Sequence, residues 1–275
     1  MARILAISSH VAYGSVGLAS IVPALQWLGH ETMPVPTVVL SCNPAYPHFA
    51  GRAVPADEIV AILEALDANG WLAKTAAVLS GYLPSRAHVA AVRGAVERVR
   101  AANPAALFLC DPVFGDEPEG LYLSAEVADA IRDQLLPLAD ITTPNSFELS
   151  YLSGRPASNP REARAAAAAL PVSTVLGTSI PADGNRLANV LVSGDEALVC
   201  HVARRAEAPH GTGDMLAAMF LGHRLNGAAN AHALGAAAGG VDASVTAAHG
   251  LEELPLASAD SVWRNAEVLP AAPIS

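Results

Sequence analysis

The segment "APHGTGD", residues 208 to 214, places two glycines around a threonine and follows them with a carboxylate, just before a run of small and apolar residues. A helix N-terminus leaves its first backbone N–H groups without intrahelical partners and carries partial positive charge, so glycines there let amides turn towards an anion. In such a setting Gly211, Thr212 and Gly213 form a cradle for a transferring phosphoryl group, and Asp214 accepts a proton from an incoming hydroxyl. The same residues also read as a Gly-rich turn with Thr212 as N-cap and Asp214 offsetting the helix dipole, worth about 0.3–1 kcal/mol. The motif alone leaves both readings open.

Three further stretches carry similar double meanings. In "TPNSFEL" (143–149) the N-x-x-E spacing of Asn145 and Glu148 is that of a capping box, and equally that of a carboxylate orienting metal-bound water beside phosphates. "CDPVFGDEPEGLY" (110–122) sets Asp111 at the end of an apolar run and before a proline, which turns the chain away from a sheet and leaves the carboxylate at its edge. Asp116 and Tyr122 follow within reach of a metal or phosphate role. In "SSHVAYGSVG" (8–17) the glycines fall only at Gly14 and Gly17, which is not the dinucleotide fingerprint. Ser9 and His10 there serve either as turn formers or as hydrogen-bonding groups for a small ligand. The chain has no P-loop, no G-x-S-x-G elbow and a single lysine, Lys74, far from any phosphate loop.

Positioning these residues falls to alternating short apolar runs and longer Ala-rich segments, the pattern of a buried parallel sheet with crossover helices. Strands are expected at 3–8, 75–82, 106–112, 139–145 and 172–178, and helices at 17–29, 85–102, 124–135, 160–170, 212–226 and 230–249. Between 187 and 203 two antiparallel strands meet at Ser193, Gly194 and Asp195. Without a repeat or a long linker, the chain reads as one α/β domain spanning 1–275. Ligands of open parallel sheets bind beyond the carboxyl ends of the strands, where Ser9, Tyr82, Asp111, Asn145 and Thr178 fall.

A formal charge of −10, with fifteen scattered arginines and one lysine, excludes a nucleic-acid partner. A polyphosphate would need metal ions and helix N-termini to offset that field. Cys42, Cys110 and Cys200 are odd in number and widely spaced, which suggests neither disulfides nor a zinc site. The N-terminal apolar run is too short for a signal peptide and no stretch is long enough to span a membrane, so a cytoplasmic protein is expected.

The stretches "SHVAYGSVG", "GYLPS", "CDPVFGDEPEGLY", "ITTPNSFEL", "GTS" and "HGTGD", in that order from about residue 3 to about residue 250, resemble the ribokinase-like superfamily and, within it, the pyridoxal kinases. The resemblance implies a three-layer α/β/α sandwich, a homodimer, and ATP-dependent phosphorylation of the 5′-hydroxymethyl group of pyridoxal. It implies that Ser9 meets the pyridine ring and Tyr82 packs on the substrate. Asp111, Thr143 and Glu148 face the ATP phosphates, with Mg²⁺ at Asp111 and Glu148. Thr178 and Ser179 contact the nucleotide, the Gly211, Thr212 and Gly213 amides bind the anion, and Asp214 touches the substrate as its base. Potassium or another monovalent cation often assists in this family. After "TVVLS" the chain departs from the family's Asn-His pattern and reads Cys42, Asn43, Pro44, Ala45, Tyr46, leaving Pro44 and Ala45 to close over the ring. The rival readings are the sister hydroxymethylpyrimidine kinases, which usually carry Cys in place of Asp214, and a non-catalytic B6-binding protein of the same fold.

Overall fold

The computed structural model of the chain describes residues 1–205 and 208–274. Its first half runs β1 (Arg3–Val11), α1 (Leu18–Trp27), β2 (Glu31–Leu40), β3 (Gly51–Ala53), α2 (Ala56–Ala68), β4 (Thr75–Ser80), α3 (Arg86–Ala102), β5 (Leu107–Cys110), β6 (Gly115–Asp116), β7 (Gly120–Leu121) and α4 (Ala125–Ala130). It continues with β8 (Ile141–Thr142), α5 (Ser146–Ser153), α6 (Pro160–Ala167), β9 (Thr174–Ala182), β10 (Arg186–Ser193) and β11 (Glu196–Ala203). The last elements are α7 (Thr212–Leu225), α8 (Asn230–Ala247), α9 (Asp260–Arg264) and β12 (Ala272–Pro273).

Consecutive strand residues point to opposite faces, so an unbroken apolar strand feeds two cores at once. In β1, Leu5 and Ile7 enter the core beneath α2 to α6, while Ile4 and Ala6 enter the one beneath α1, α7 and α8, and all four are fully buried. Val78 against Ala77 and Leu79, and Phe108 against Leu109, divide the same way in β4 and β5. Each such buried Leu or Ile contributes about 1.5–3 kcal/mol. The result is the expected three-layer α/β/α sandwich.

The ten-stranded sheet has the order β12-β11-β10-β9-β8-β5-β4-β1-β2-β3. From β2 through β9 it is parallel, and β3, β10, β11 and β12 are antiparallel additions. β6 and β7 form a separate small hairpin. After β1 the chain goes first to β2 on one side and then to β4 on the other. This reversal opens a crevice at the carboxyl ends of β1 and β4.

All five parallel strands expected from sequence are present, though none keeps both of its expected bounds. β8 is only two residues long because Pro144 and the helix cap Asn145 take the backbone out of the sheet, and β9 runs on to Ala182. β2 and α2 fall outside the sequence pattern. β2 carries Pro34 and Pro36, which are tolerated because β3 pairs only with residues 38–40 and leaves the outer edge at both prolines open. The helix expected at 124–135 is α-helical to Ala130 and winds into a π turn over Ile131–Leu135.

Candidate active site

The strand ends and the N-terminus of α7 converge, and hydrogen bonds tie them together. Beside β1, the Tyr82 amide donates to Ser8 Oγ (3.2 Å), and Thr37 Oγ1 donates to the Tyr82 carbonyl (2.7 Å). Half-buried Ser9 lies under Gly17, whose φ of 57° only glycine adopts at low cost and whose added Cβ would strike the Ser9 hydroxyl and carbonyl. Burial raises the Tyr82 phenol above its ordinary pKa. His10 is exposed.

Asp214 bears on both readings of the "HGTGD" motif. The N-cap of α7 is Gly211 at φ 90°, and Thr212 is the first helical residue, which corrects the sequence assignment of Thr212 as cap. Gly211 must be glycine for a second reason, since a Cβ there would run into the Ser15 carbonyl oxygen. Asp214 makes no capping hydrogen bond within its own helix. Its Oδ2 accepts from the Gly17 amide at 2.9 Å, across 197 residues of sequence, and among the described residues this is its only hydrogen-bond donor. Burial lifts its pKa from 3.8 to about 6, with the Gly17 N–H pulling the other way. A carboxylate held by a distant loop, with its affinity for protons raised, is equipped to take a proton near neutral pH. The orphan amides at Thr212 and Gly213 begin the same helix.

A second acidic group lies at β5 and α5. The Asp111 amide donates to the Ser80 carbonyl (2.9 Å), and Thr143 Oγ1 donates to Asp111 Oδ1 (2.9 Å). Burial, then the charges of Glu148 and Asp214, push the Asp111 pKa well above the carboxylate range, with the Thr143 hydroxyl opposing. The N-x-x-E motif is a complete capping box. Asn145 Oδ1 accepts from the Glu148 amide (2.9 Å), and Glu148 Oε2 accepts from the Asn145 amide (3.0 Å). Glu148 Oε1 also accepts from the amides of Phe114 (2.8 Å) and Gly115 (3.4 Å). Just before them Val113 sits at φ 43°, a left-handed turn that a β-branched residue enters only under strain. Burial nonetheless carries the Glu148 pKa to about 7 against these donors. Tyr122 is 51% exposed, and its phenol is raised by desolvation and then by the charges of Glu148 and Asp111.

Thr178 is buried, its amide donating to the Pro144 carbonyl (2.8 Å), and it pairs with Asn145 as an isolated parallel bridge. Ser179 is exposed at φ 54°, a strained conformation of the kind concentrated at binding sites. Pro44 and Ala45 are exposed in a turn closed by the Ala45 and Tyr46 amides donating to Asn43 Oδ1 (2.9 Å) and O (3.0 Å). Among the described residues no hydrogen bond joins Pro44 or Ala45 directly to Asp214. The Gly17 amide and Ser8 were not anticipated as site groups. A glycine shortly after the first strand was the available signal for Gly17, and nothing distinguished Ser8 from its neighbour.

Asp111, Glu148 and Asp214 are all desolvated, the charges of Glu148 and Asp214 add to the proton affinity of Asp111, and no cation is among the causes of the three shifts, so the donor set suits a hard cation. Among the described residues no group of three or more His, Cys, Asp or Glu side chains makes a metal cage. Mg²⁺ bound by one or two carboxylates and the phosphates of a substrate meets both observations.

The family model described as phosphomethylpyrimidine kinase matches residues 14–255. The pyridoxal kinase PdxY of Corynebacterium diphtheriae is 37% identical over 229 residues, 80% of this chain and 80% of that protein. The pyridoxal kinase PdxY of Rubrobacter xylanophilus is 37% identical over 266 residues, 94% of this chain and 92% of that one. Among solved structures, the pyridoxal kinase of Leishmania donovani in complex with ADP and pyridoxamine superposes with a TM-score of 0.94 at 30% identity and 99% coverage of both chains. The chain therefore belongs to the phosphomethylpyrimidine kinase family and, within that ribokinase-like fold, to its pyridoxal kinases.

Proposed function

We propose that the protein transfers the γ-phosphoryl group of ATP to the 5′-hydroxymethyl group of pyridoxal. The observation that carries the mechanism is the Asp214 carboxylate, bonded to Gly17 at 2.9 Å with its pKa at about 6, at the start of the helix whose first amides have no intrahelical partner. The substrate hydroxyl lies against Asp214, which takes its proton as the oxygen attacks the γ-phosphorus. The bond from phosphorus to the β,γ-bridging oxygen breaks, and ADP leaves with that electron pair. Negative charge on the transferring group meets the amides of Gly211, Thr212 and Gly213.

Asp111 and Glu148 would hold Mg²⁺, which when bound neutralises phosphate charge. Thr143 keeps Asp111 oriented, and Thr178 and Ser179 flank the nucleotide. Ser9 and Tyr82 face the ring, with Pro44 and Ala45 covering it. Potassium dependence, a homodimer and a cytoplasmic location belong to the same reading. Among the described residues no helix is long and apolar enough to cross a membrane.

Coupled detection of ADP with pyridoxal, pyridoxine, pyridoxamine and hydroxymethylpyrimidine, with and without Mg²⁺ and K⁺, tests the proposal. Mg²⁺-dependent turnover of pyridoxal is expected. Turnover of the pyrimidine alone would replace the substrate assignment, and binding without ADP release would make the protein a carrier.

A further inference from the structure

Glu253 lies between α8 and α9, outside every motif considered above, yet both oxygens of its carboxylate are engaged. Oε2 accepts from the Ser15 amide (3.0 Å), and Oε1 accepts from the Tyr46 hydroxyl (3.0 Å). The neighbouring Leu254 carbonyl accepts from Ser15 Oγ (2.9 Å). The carboxyl group rests on Gly14, where an added Cβ would meet Oε1 at 2.7 Å and Oε2 at 2.9 Å. The Tyr13 and Tyr46 rings meet edge-on at 6.2 Å beside this junction.

The other side of the same short segment faces the chemistry. The Ser15 carbonyl abuts the α-carbon of Gly211, Gly17 covers Ser9, and the Gly17 amide holds Asp214. Ser20 Oγ closes the contact by donating to the Gly211 carbonyl (3.3 Å). Residues 14–17 are therefore pressed between Glu253 and the groups assigned to proton abstraction and phosphoryl binding. They have no helix or strand of their own to fix them, so hydrogen bonds to the Glu253 side chain and the Leu254 carbonyl decide where they sit.

From this chain of contacts we infer that Glu253 is a positioning residue: it holds residues 14–17 against Gly211 and Asp214, and through Tyr46 it couples closure of the 42–46 loop over the substrate to that assembly. The inference rests on the kinase reading above, and turnover of pyridoxal by the unaltered protein tests that reading first and separately. Misplacing reacting groups by an ångström costs on the order of a hundredfold in rate, so loss of this anchor acts on kcat as well as on binding.

The test compares E253A, E253Q, Y46F and the double variant E253A/Y46F by steady-state kinetics in pyridoxal and ATP. Glutamine can keep both bonds, its carbonyl accepting from Ser15 and its amide donating to the Tyr46 oxygen, so E253Q should stay within about threefold of the parent. E253A should lower kcat at least about tenfold and raise the pyridoxal KM at least about fivefold. Y46F, which cuts only the link to the loop, should raise the pyridoxal KM at least about threefold with kcat and the ATP KM within about twofold. In the E253A background Y46F should add nothing. A parent-like E253A, an E253Q as impaired as E253A, or additive effects in the double variant would overturn the inference. Should E253A fail to fold, Y46F and E253D decide: one methylene shorter, E253D cannot reach both partners, and a parent-like pyridoxal KM in both variants would overturn it equally.

Discussion

Replacing Asp214 with asparagine preserves size and the ability to accept from Gly17, and removes only the capacity to take a proton. General-base assistance is worth about 10²–10⁴-fold, so kcat should fall at least about a hundredfold in D214N while pyridoxal binding is retained. Stability should move in the opposite direction, with a definite pH dependence. The folded-state pKa of about 6 lies above the ordinary 3.8, so the native protein binds this proton more tightly than the unfolded chain. The charged form therefore costs stability increasingly as pH rises from about 4 to about 6, and in full above that. D214N should melt higher than the parent at pH 8 and equally at pH 4. In the parent, kcat/KM for pyridoxal should decline as pH falls below about 6, as the base is protonated. Near-normal kcat in folded D214N would return the aspartate to a structural role. The residue type and its place in the first turn of a helix were legible in the motif, whereas its partner was not. Gly17 stands 197 residues away, and local spacing carries no information about a bond that only the sheet reversal creates.

Glu148 shows how a helix cap and the proposed metal site can use one side chain. Helix α5 is only eight residues long and buries just Glu148, Leu149 and Leu152, too little apolar surface to announce a helix by periodicity. Its start was nonetheless readable, because Asn145 and Glu148 have capping-box spacing and the box is formed. The structural and functional readings of that motif are thus compatible: the box orients the carboxylate, and burial beside Asp111 gives it a pKa of about 7. E148Q should keep one acceptor for the backbone donors and lose the charge facing Asp111. The Mg²⁺ concentration for half-maximal activity should then rise at least about tenfold, with a smaller change in the pyridoxal KM. An unchanged Mg²⁺ requirement would remove Glu148 from the metal site. The strands were legible for the complementary reason, since each is an apolar run whose alternate residues fill both cores. β2 was hidden by Pro34 and Pro36, acceptable only because the strand they enter lies open along that edge.

For the molecule as a whole, the topology gathers Asp111, Glu148 and Asp214 beyond the carboxyl ends of the central strands in a protein of formal charge −10 with one lysine. On the proposed reading, a nucleoside triphosphate approaching this end of the sheet is repelled by the global field and would be held only by short-range groups: backbone amides at the start of α7, hydroxyls, and a shared divalent ion. The range of the field is set by salt, about 8 Å at physiological ionic strength and about 30 Å at 0.01 M, whereas amide contacts are screened little. Salt should therefore help this enzyme. Raising ionic strength from about 0.01 to about 0.2 M with an inert cation, at fixed free Mg²⁺ and K⁺, should increase kcat/KM for MgATP about twofold or more and leave kcat unchanged. Pyridoxal, being nearly neutral overall, serves as the internal control and should show little change in kcat/KM. A fall in kcat/KM for MgATP with salt would mean that arginines steer the nucleotide after all, and the phosphate site would have to be relocated to include them.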